Sequence, residues 1–180
     1  MAIFAMAAAL AMAIGQPAVD PNFDPVTGYR IAQYRGVVAD APAGVDRITA
    51  AQVVALVRDH AILIDVTPAE GGIRDPQSGR WRLAMPHHTI RGAYWFPEAG
   101  RGALAPDIER WFVGGVDRLG GRRRDKTLIV FCLADCWMSW NAARRLKQAG
   151  FGDVRWFADG LDGWRDAGQA TKRVEPYRGR

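Results

Sequence analysis

Residues 127–150 read TLIVFCLADCWMSWNAARRLKQAG. The run from Thr127 to Cys132 is almost entirely apolar, which is typical of a strand covered on both faces of a sheet. After a short loop, the segment from Ser139 to Ala149 has the pattern of a helix, and Gly150 ends it. A buried strand that leads through a loop into a helix indicates an α/β protein.

The same alternation of strands and helices continues on both sides of this unit. Short apolar runs predict further strands at residues 61–66, 93–97 and 154–157. Helices are predicted at residues 50–58, with Thr49 as the N-cap, at residues 106–119 and at residues 161–167. This alternation predicts a parallel sheet with helices on both faces. Ligands of such sheets bind beyond the carboxyl ends of the strands, which are expected at Val66, Phe96, Phe131 and Phe157.

The chain has 180 residues, which fits a single domain. Residues 47–170 are expected to form this domain. An extended segment at residues 16–46 precedes it and a tail at residues 171–180 follows it. Residues 67–89 are polar and rich in turn residues, which predicts a long excursion within the domain.

Residues 1–15 are apolar, rich in small residues and uncharged. They resemble the apolar core of a secretory signal, although no basic residue precedes them, and an ordinary apolar first helix is the alternative. Cleavage of such a signal would place the mature protein in the periplasm, where a disulfide can persist. The run is too short to span a bilayer, so we expect no membrane-spanning segment after cleavage.

The net charge of +5 arises from 24 basic and 19 acidic residues, and the arginines are spread along the chain. The one dense run, Arg122 to Arg124, is typical of a solvated turn before a strand, and no RNA-binding or zinc-finger pattern is present. We therefore expect no nucleic acid partner. An apolar content of 49% and a charged content of 24% indicate a globular core and exclude a disordered chain.

Cys132 is expected at the carboxyl edge of the sheet, because it ends the strand that precedes the loop. A loop that turns tightly into a helix directs backbone N–H groups and the helix dipole toward its centre, which stabilises an anion there. A thiolate of Cys132 is the natural anion, and a helix N-terminus can make such a thiol reactive at neutral pH. The alternative is that Cys132 and Cys136 are buried structural cysteines.

Four motifs carry a resemblance to a known domain: Ile64-Asp65-Val66, Ile90-Arg91-Gly92-Ala93, Val130-Phe131-Cys132 and Gly160-Leu161-Asp162-Gly163-Trp164. Together they resemble a rhodanese domain, over about residues 48–168. More narrowly, residues 132–143, CLADCWMSWNAA, are similar to rhodanese-like proteins associated with PQQ-dependent catabolism of alcohols, which are named for a Cys-Cys-Trp motif.

The resemblance implies a single rhodanese-like domain with a five-stranded parallel sheet. It implies that Cys132 is the nucleophile that carries a persulfide in sulfurtransferases, with no resident cofactor and only an indirect association with PQQ. Asp65 matches an acid at the end of the second strand, and His88 falls near a histidine that precedes the Ile-x-Gly-Ala motif. For Asp65 we favour a structural acid that accepts loop N–H bonds over a catalytic acid. For His88 we favour a surface or loop-anchoring residue over a general base.

The predicted active-site loop departs from a sulfurtransferase loop, which the resemblance implies to have six residues and to end in arginine. Here Cys132 and Ser139 are separated by Leu133, Ala134, Asp135, Cys136, Trp137 and Met138, and Met138 or Trp137 stands where arginine is implied. Asp135 adds an acid to the loop, and Thr67 stands where an arginine often follows Ile-Asp-Val. Thiosulfate and phosphate are therefore poorly matched as substrates.

The loop instead carries a second thiol, Cys136, four residues after Cys132. A disulfide between them closes a small ring, and strained, exposed disulfides are the redox-active kind. We assign the attacking thiol to Cys132, because the loop is expected to surround it with N–H donors, and the resolving thiol to Cys136, because no loop arginine holds an external oxyanion as second reactant. The substrate is then a small sulfur compound or thiol. Trp137 and Trp140 flank the pair, either as a platform for a flat ligand or partner or, chiefly for Trp140, as core residues.

Two other functions stay open. Cys132, Cys136 and His88, or His87 beside it, have the residue types of a site for copper(I) or zinc, as in copper-delivery proteins. The other hypothesis is a non-catalytic module that docks on a periplasmic PQQ dehydrogenase or a c-type cytochrome. Only the family resemblance implies this association.

Overall fold

The computed structural model describes residues 20–179, and the predicted signal segment at residues 1–15 lies outside the described residues. The strands are β1 (Asp46–Arg47), β2 (Ile62–Asp65), β3 (Ile73–Arg74), β4 (Trp81–Arg82), β5 (His87–Ile90), β6 (Tyr94–Trp95), β7 (Leu128–Phe131), β8 (Val154–Phe157) and β9 (Thr171–Val174). The helices are α1 (Ala50–Arg58), α2 (Pro106–Leu119), α3 (Trp137–Gln148) and α4 (Gly160–Asp166).

The central sheet has five strands in the order β1-β8-β7-β2-β6, and all neighbouring pairs are parallel. Asp65 of β2 lies opposite Phe131 of β7, which lies opposite Phe157 of β8. The N–H of Phe96 donates to the carbonyl of Asp65 at 2.8 Å, so β6 ends at the same edge. The predicted strand ends therefore lie side by side, and Cys132 follows β7 at the carboxyl edge, which confirms the sequence-based prediction.

Helices cover both faces of this sheet. One hydrophobic core includes Phe112 of α2 and Leu146 of α3, and the other includes Val53 of α1 and Trp164 of α4. β7 contributes alternate residues to the two cores, Leu128 and Val130 to the first and Ile129 and Phe131 to the second. Because both faces of β7 are buried, its sequence is apolar at every position instead of alternating. The architecture is the rhodanese-like α/β fold that the sequence predicts.

The start of α3 differs from its predicted position, whereas α1 and α2 have their predicted bounds. The sequence predicts α3 from Ser139, but the helix begins at Trp137 and Cys136 is its N-cap. The hydroxyl of Ser139 donates to the carbonyl of Cys136 at 3.1 Å and accepts from the indole N–H of Trp156 at 3.0 Å, so it bonds inside the core. The N-terminus of α3 therefore lies at the second cysteine.

The excursion predicted at residues 67–89 contains regular structure. β3 and β4 form an antiparallel pair within it, and β5 at its end pairs antiparallel with β9. β9 lies within residues 171–180, the expected tail, which therefore packs back on the domain. Within residues 20–179, we find no helix with the length and apolar character needed to cross a membrane.

Residues 20–45, which we call the N-terminal arm, run along α3. The buried side chain of Asn141 in α3 accepts a hydrogen bond from the N–H of Arg30 at 3.0 Å and donates to the carbonyl of Arg30 at 2.8 Å and of Gly100 at 3.0 Å. Further along α3, Arg144 donates to the carbonyl of Thr27 at 3.0 Å. Asn141 thus joins the arm to α3 and to the segment that follows β6.

Replacing Asn141 tests whether its contacts with the arm and with Gly100 stabilise the domain. Asn141→Ala should lower the free energy of unfolding by about 2–4 kcal/mol, because it leaves one buried N–H and two buried carbonyls without their partner. The exposed change Gln169→Ala should stay within about 0.5 kcal/mol. Urea denaturation measures both, and equal effects of the two changes would show that the contacts of Asn141 with the arm and with Gly100 contribute nothing to stability.

Candidate active site

The segment that we call the cysteine loop, residues 132–138, follows β7 at the carboxyl edge of the sheet and includes the first two residues of α3, Trp137 and Met138. Cys132 is the first residue after β7, Cys136 is the N-cap of α3, and the two form a disulfide with a Cα–Cα distance of 6.6 Å. That distance lies within the range that a disulfide permits. Cys132 is 0% exposed and Cys136 is 3% exposed, so the bond lies just below the surface on the side of Cys136.

The first half of the cysteine loop is held by the start of α4. The N–H of Leu161 donates to the carbonyl of Cys132 at 2.8 Å, and the N–H of Ala134 donates to the carboxylate of Asp162 at 3.0 Å. Gly160 permits this contact, because a Cβ at that position would overlap the carbonyl of Cys132 and because its φ of +53° favours glycine. The Gly160-Leu161-Asp162 motif thus holds the first half of the loop through these two hydrogen bonds.

The second half of the cysteine loop is held by the N-terminal arm. The N–H of Gly36 donates to the carbonyl of Asp135 at 2.9 Å, and the N–H of Trp137 donates to the carbonyl of Tyr34 at 2.8 Å. These two bonds place Arg35 directly opposite Cys136 in an antiparallel bridge. The N–H groups of Ala134 and Trp137 are therefore bonded to Asp162 and to the arm, and are not directed at a common anion in the disulfide state.

The two tryptophans beside the loop pack against the arm. The Trp137 ring meets the edge of Phe23 at a centroid distance of 5.2 Å, and the guanidinium of Arg30 lies 4.7 Å from its centroid. The indole N–H of Trp140 donates to the carbonyl of Asp40 at 3.0 Å. Of the two roles considered from the sequence, packing is the one that these contacts support.

Asp135 has an exposed side chain and a φ of +48°. Asp is one of the few residues that adopt this left-handed conformation readily, because its short side chain can bond locally. The acid therefore reverses the direction of the loop between the cysteines. Leu133 and Met138 complete the loop as apolar residues, partly buried and buried respectively.

Asp65 is fully buried and accepts two hydrogen bonds. Its carboxylate accepts from the N–H of Thr67 at 2.8 Å and lies 2.7 Å from Nε2 of His87. The His87 ring in turn packs on Trp95 at a centroid distance of 4.2 Å. These contacts are those of a structural acid that holds the chain after β2, the role we favoured for Asp65.

His88, the histidine named from the sequence, is exposed on β5 and lies opposite Arg173 of β9. His87 occupies the place beside Asp65 instead. Neighbouring residues of a strand point to opposite faces, so only one of the two histidines can reach the acid. The sequence contained no signal for the register of β5, and the choice between them could not be made from it.

A cavity of about 320 Å³ opens beside the disulfide. The cysteine loop contributes Leu133, Cys136 and Met138 to its lining, and the arm contributes Tyr34 and Arg35. The other lining residues are Thr67, Pro68 and Glu70 from the chain after β2 and Arg101 from the chain after β6. Cys136 lines the cavity, whereas Cys132 does not. A larger cavity, of about 770 Å³, lies between residues 74–81, Trp111 and residues 175–178, but none of its lining residues belongs to the cysteine loop.

Two arginines contribute cationic groups to the wall of the smaller cavity, although residues 132–138 contain no arginine. Arg35 is exposed on the arm, and Arg101 donates to the carboxylate of Glu98 at 2.6 Å. Arg145 of α3 donates to the carbonyl of Arg101 at 3.2 Å and so holds that segment in place. Burial lowers the pKa of Arg145, against the opposing influence of Tyr29 and Glu109. Sequence analysis missed Arg35 and Arg101, since both lie far from the cysteines along the chain.

The alternative metal site has no support in the described part of the chain. Among residues 20–179, no three His, Cys, Asp or Glu side chains come together as metal ligands. Cys132 and Cys136 are joined to each other, and His88 lies exposed on β5. The three residues proposed for copper(I) or zinc are therefore not brought together in this state.

No protein-family model matches the chain, and no curated protein matches it. Among solved structures, it is similar to a thiosulfate sulfurtransferase from Pseudomonas aeruginosa, with 20% identity, coverage of 73% of this chain and 21% of that chain, and a TM-score of 0.48. A polysulfide-sulfur transferase homodimer from Wolinella succinogenes has 19% identity, coverage of 72% and 80%, and a TM-score of 0.46. A full-length protein from Lactobacillus plantarum has 20% identity, coverage of 71% and 88%, and a TM-score of 0.46.

The chain spans about a fifth of the length of the Pseudomonas aeruginosa protein. The parallel strand order and the cysteine at the end of β7 define this molecule as an α/β domain of rhodanese-like fold. Membership of the PQQ-associated Cys-Cys-Trp family stays a prediction.

The glycine beneath the cysteine loop provides a test of the support from α4. Gly160→Ala should destabilise the protein through both a positive φ and the overlap with the carbonyl of Cys132. Gly168→Ala is the matched control, because Gly168 has a φ of +71° and no neighbour within 4 Å of the added Cβ. The control should lose about 1–2 kcal/mol of unfolding free energy. Gly160→Ala should lose at least about 2 kcal/mol more in urea denaturation, and equal losses would contradict the contact.

The adjacent histidines provide a second test. His87→Ala should lower the free energy of unfolding by about 2–3 kcal/mol, since the buried carboxylate of Asp65 loses a partner and Trp95 loses its packing neighbour. His88→Ala should change it by less than about 0.5 kcal/mol. Thermal or urea unfolding measures both. A larger effect at His88 would show that the assignment of His87 as the partner of Asp65 is wrong.

Proposed function

We propose that this protein is a rhodanese-like thiol protein that transfers electrons or sulfane sulfur through the Cys132–Cys136 pair. The observation that supports this most directly is the disulfide at the carboxyl edge of the parallel sheet, where ligands of α/β proteins bind. The disulfide lies beside a cavity large enough for a small molecule.

The electron-transfer reaction is a thiol–disulfide exchange. A substrate thiolate attacks one sulfur of the pair, the Cys132–Cys136 bond breaks, and the other cysteine leaves as a thiolate. A second substrate thiolate attacks the resulting mixed disulfide and releases the oxidised substrate. Two thiols become one disulfide, and the protein gains two electrons and two protons. The reverse sequence oxidises the protein and reduces a substrate disulfide.

The sulfur-transfer reaction uses the reduced pair. A substrate persulfide transfers its outer sulfur to a protein thiol and departs as a thiol, which leaves a protein persulfide. The second cysteine attacks the inner sulfur of that persulfide, the disulfide of the pair forms, and hydrogen sulfide departs. On the sequence-based assignment Cys132 carries the persulfide and Cys136 resolves it.

Thiols and persulfides suit this site better than thiosulfate or phosphate. Residues 132–138 contain no arginine, and Thr67 stands where the family resemblance implies one. The N–H groups of Ala134 and Trp137 are bonded to Asp162 and Tyr34. A substrate that brings its own nucleophilic sulfur needs neither of these groups.

We further propose that the mature protein works in the periplasm in association with PQQ-dependent alcohol catabolism. The support is the apolar segment at residues 1–15 and the similarity of residues 132–143 to the Cys-Cys-Trp family. A periplasmic PQQ dehydrogenase or c-type cytochrome is the partner that this similarity implies. A disulfide is also the form that an oxidising compartment maintains.

The test is the redox state of the pair. Protein purified without reductant should contain no free thiol, and treatment with dithiothreitol should raise its mass by about 2 Da as two thiols form. Equilibration in glutathione buffers should give a reduction potential above about −300 mV, because a disulfide that turns over must be within reach of small thiols. Cys132→Ser and Cys136→Ser should each abolish the reversible step. A pair that stays oxidised well below that potential would be structural, and the proposal would fail.

A further inference from the structure

We propose that Cys136, rather than Cys132, is the cysteine that forms the mixed disulfide with the substrate, and that this substrate is a small thiol bearing a negative charge. The inference rests on the proposed thiol–disulfide function and deepens it. It assigns to Cys136 the role that sequence analysis assigns to Cys132, and the experiments below decide between the two assignments.

Access to the two sulfurs is the first argument. Both cysteines belong to the hydrophobic core between the sheet and α3, but Cys132 has no exposed surface. Cys136 retains 3% of its surface and lines the cavity of about 320 Å³. A substrate in that cavity therefore meets the disulfide at Cys136. Because exchange requires contact with the sulfur that is attacked, access favours Cys136.

The position of Cys136 at the start of α3 is the second argument. Cys136 is the N-cap of this helix, which continues to Gln148. The N-terminus of a helix stabilises a negative charge, and cysteines at this position have enhanced thiolate character. In the reduced protein, the position at the start of α3 therefore favours the thiolate form of Cys136, which is the nucleophile. The sequence-based assignment placed this effect at Cys132, because it expected the N–H groups of the loop to surround the residue at the end of the strand.

The charge of the cavity wall indicates the class of substrate. Arg35 lies opposite Cys136 in the backbone bridge between the arm and the loop. Arg35 and Arg101 both line the cavity, against one carboxylate, that of Glu70. Arg101 donates to the carboxylate of Glu98, whereas Arg35 is the arginine whose backbone pairs directly with that of Cys136. A carboxylate on the substrate would be attracted to this wall, and an ammonium group would be repelled.

The exchange proceeds in two steps. The substrate thiolate forms a bond to Sγ of Cys136, the bond between Cys136 and Cys132 breaks, and its electron pair passes to Sγ of Cys132, which then takes up a proton. A second substrate thiolate attacks the substrate sulfur of the mixed disulfide, so that the substrate disulfide departs and Cys136 is left as a thiolate. The pair is reduced by two electrons, and two substrate thiols are oxidised to one disulfide.

Trapping the mixed disulfide tests which cysteine reacts. The probe is dithiodipropionate, the disulfide of 3-mercaptopropionate, added to the reduced single variants Cys132→Ser, Cys132→Ala and Cys136→Ser. Both variants that retain Cys136 should gain the mass of one mercaptopropionate, at least about tenfold faster than Cys136→Ser, whose remaining thiol is buried. Circular dichroism and denaturation check that each variant is folded. Faster labelling of the variant that retains Cys132 would overturn the assignment.

Varying the charge of the thiol tests the substrate class. The oxidised wild-type protein is reduced by 3-mercaptopropionate, 2-mercaptoethanol or cysteamine, with rates expressed per thiolate concentration. The anionic thiol should react about threefold to fivefold faster than the neutral thiol, and the cationic thiol should react more slowly than either. The preference should diminish at high salt. Arg35→Gln should remove most of it, whereas Arg118→Gln, an equal change of charge at an exposed residue outside the cavity, should preserve it.

The outcomes separate the two proposals. If none of the three thiols reduces the disulfide, the proposed function fails. If the thiols reduce it but the mixed disulfide forms at Cys132, the function stands and the assignment to Cys136 is wrong. Equal rates for the three thiols, or a preference that Arg35→Gln does not alter, would overturn the anionic substrate class.

Discussion

The backbone pairing between the N-terminal arm and the cysteine loop is the interaction on which the site depends. Two hydrogen bonds, from the N–H of Gly36 to the carbonyl of Asp135 and from the N–H of Trp137 to the carbonyl of Tyr34, hold the second half of the loop. They fix the first helical residue of α3 and bring Arg35 opposite Cys136. Without this pairing, the N–H of Trp137 at the start of α3 would be free to bind an external anion.

The same pairing changes how the site obtains positive charge. A cationic side chain within the loop would lie beside both sulfurs, where it would bind oxyanions directly. In this protein the cations come from the arm and from the chain after β6, as Arg35 and Arg101, and they line a cavity that only Cys136 reaches. The positive charge of the cavity wall and the access from the cavity therefore both favour reaction at Cys136. The arrangement is suited to a substrate whose sulfur reacts with Cys136 while a separate anionic group faces the arginines.

Local patterns predicted the parts of this molecule that local physics determines. The apolar character of β7 follows from burial on both faces, and the N-cap Thr49 with its capping box begins α1 at the predicted residue. The start of α3 could not be predicted in this way, because it depends on the N–H of Trp137 bonding to Tyr34, more than a hundred residues earlier. The choice of His87 over His88 depends on the register of β5 against β9, which is equally remote. Sequence analysis therefore identified both cysteines but missed the contacts that distinguish them.

A reversal of the chain between the two cysteines allows them to meet at this strand end. Asp135, immediately before Cys136, adopts a left-handed conformation, so the chain turns back before it enters α3. This reversal brings the Cα atoms of Cys132 and Cys136 to 6.6 Å and leaves the carboxylate of Asp135 exposed, outside the lining of the cavity. The acid that suggested repulsion of anions from the sequence thus acts through its backbone. The disulfide ring is accompanied by three local features: the left-handed conformation of Asp135, the bridge at Arg35 and the close approach of Gly160 to Cys132 without overlap. Each of them is supplied by a residue outside the cysteine pair.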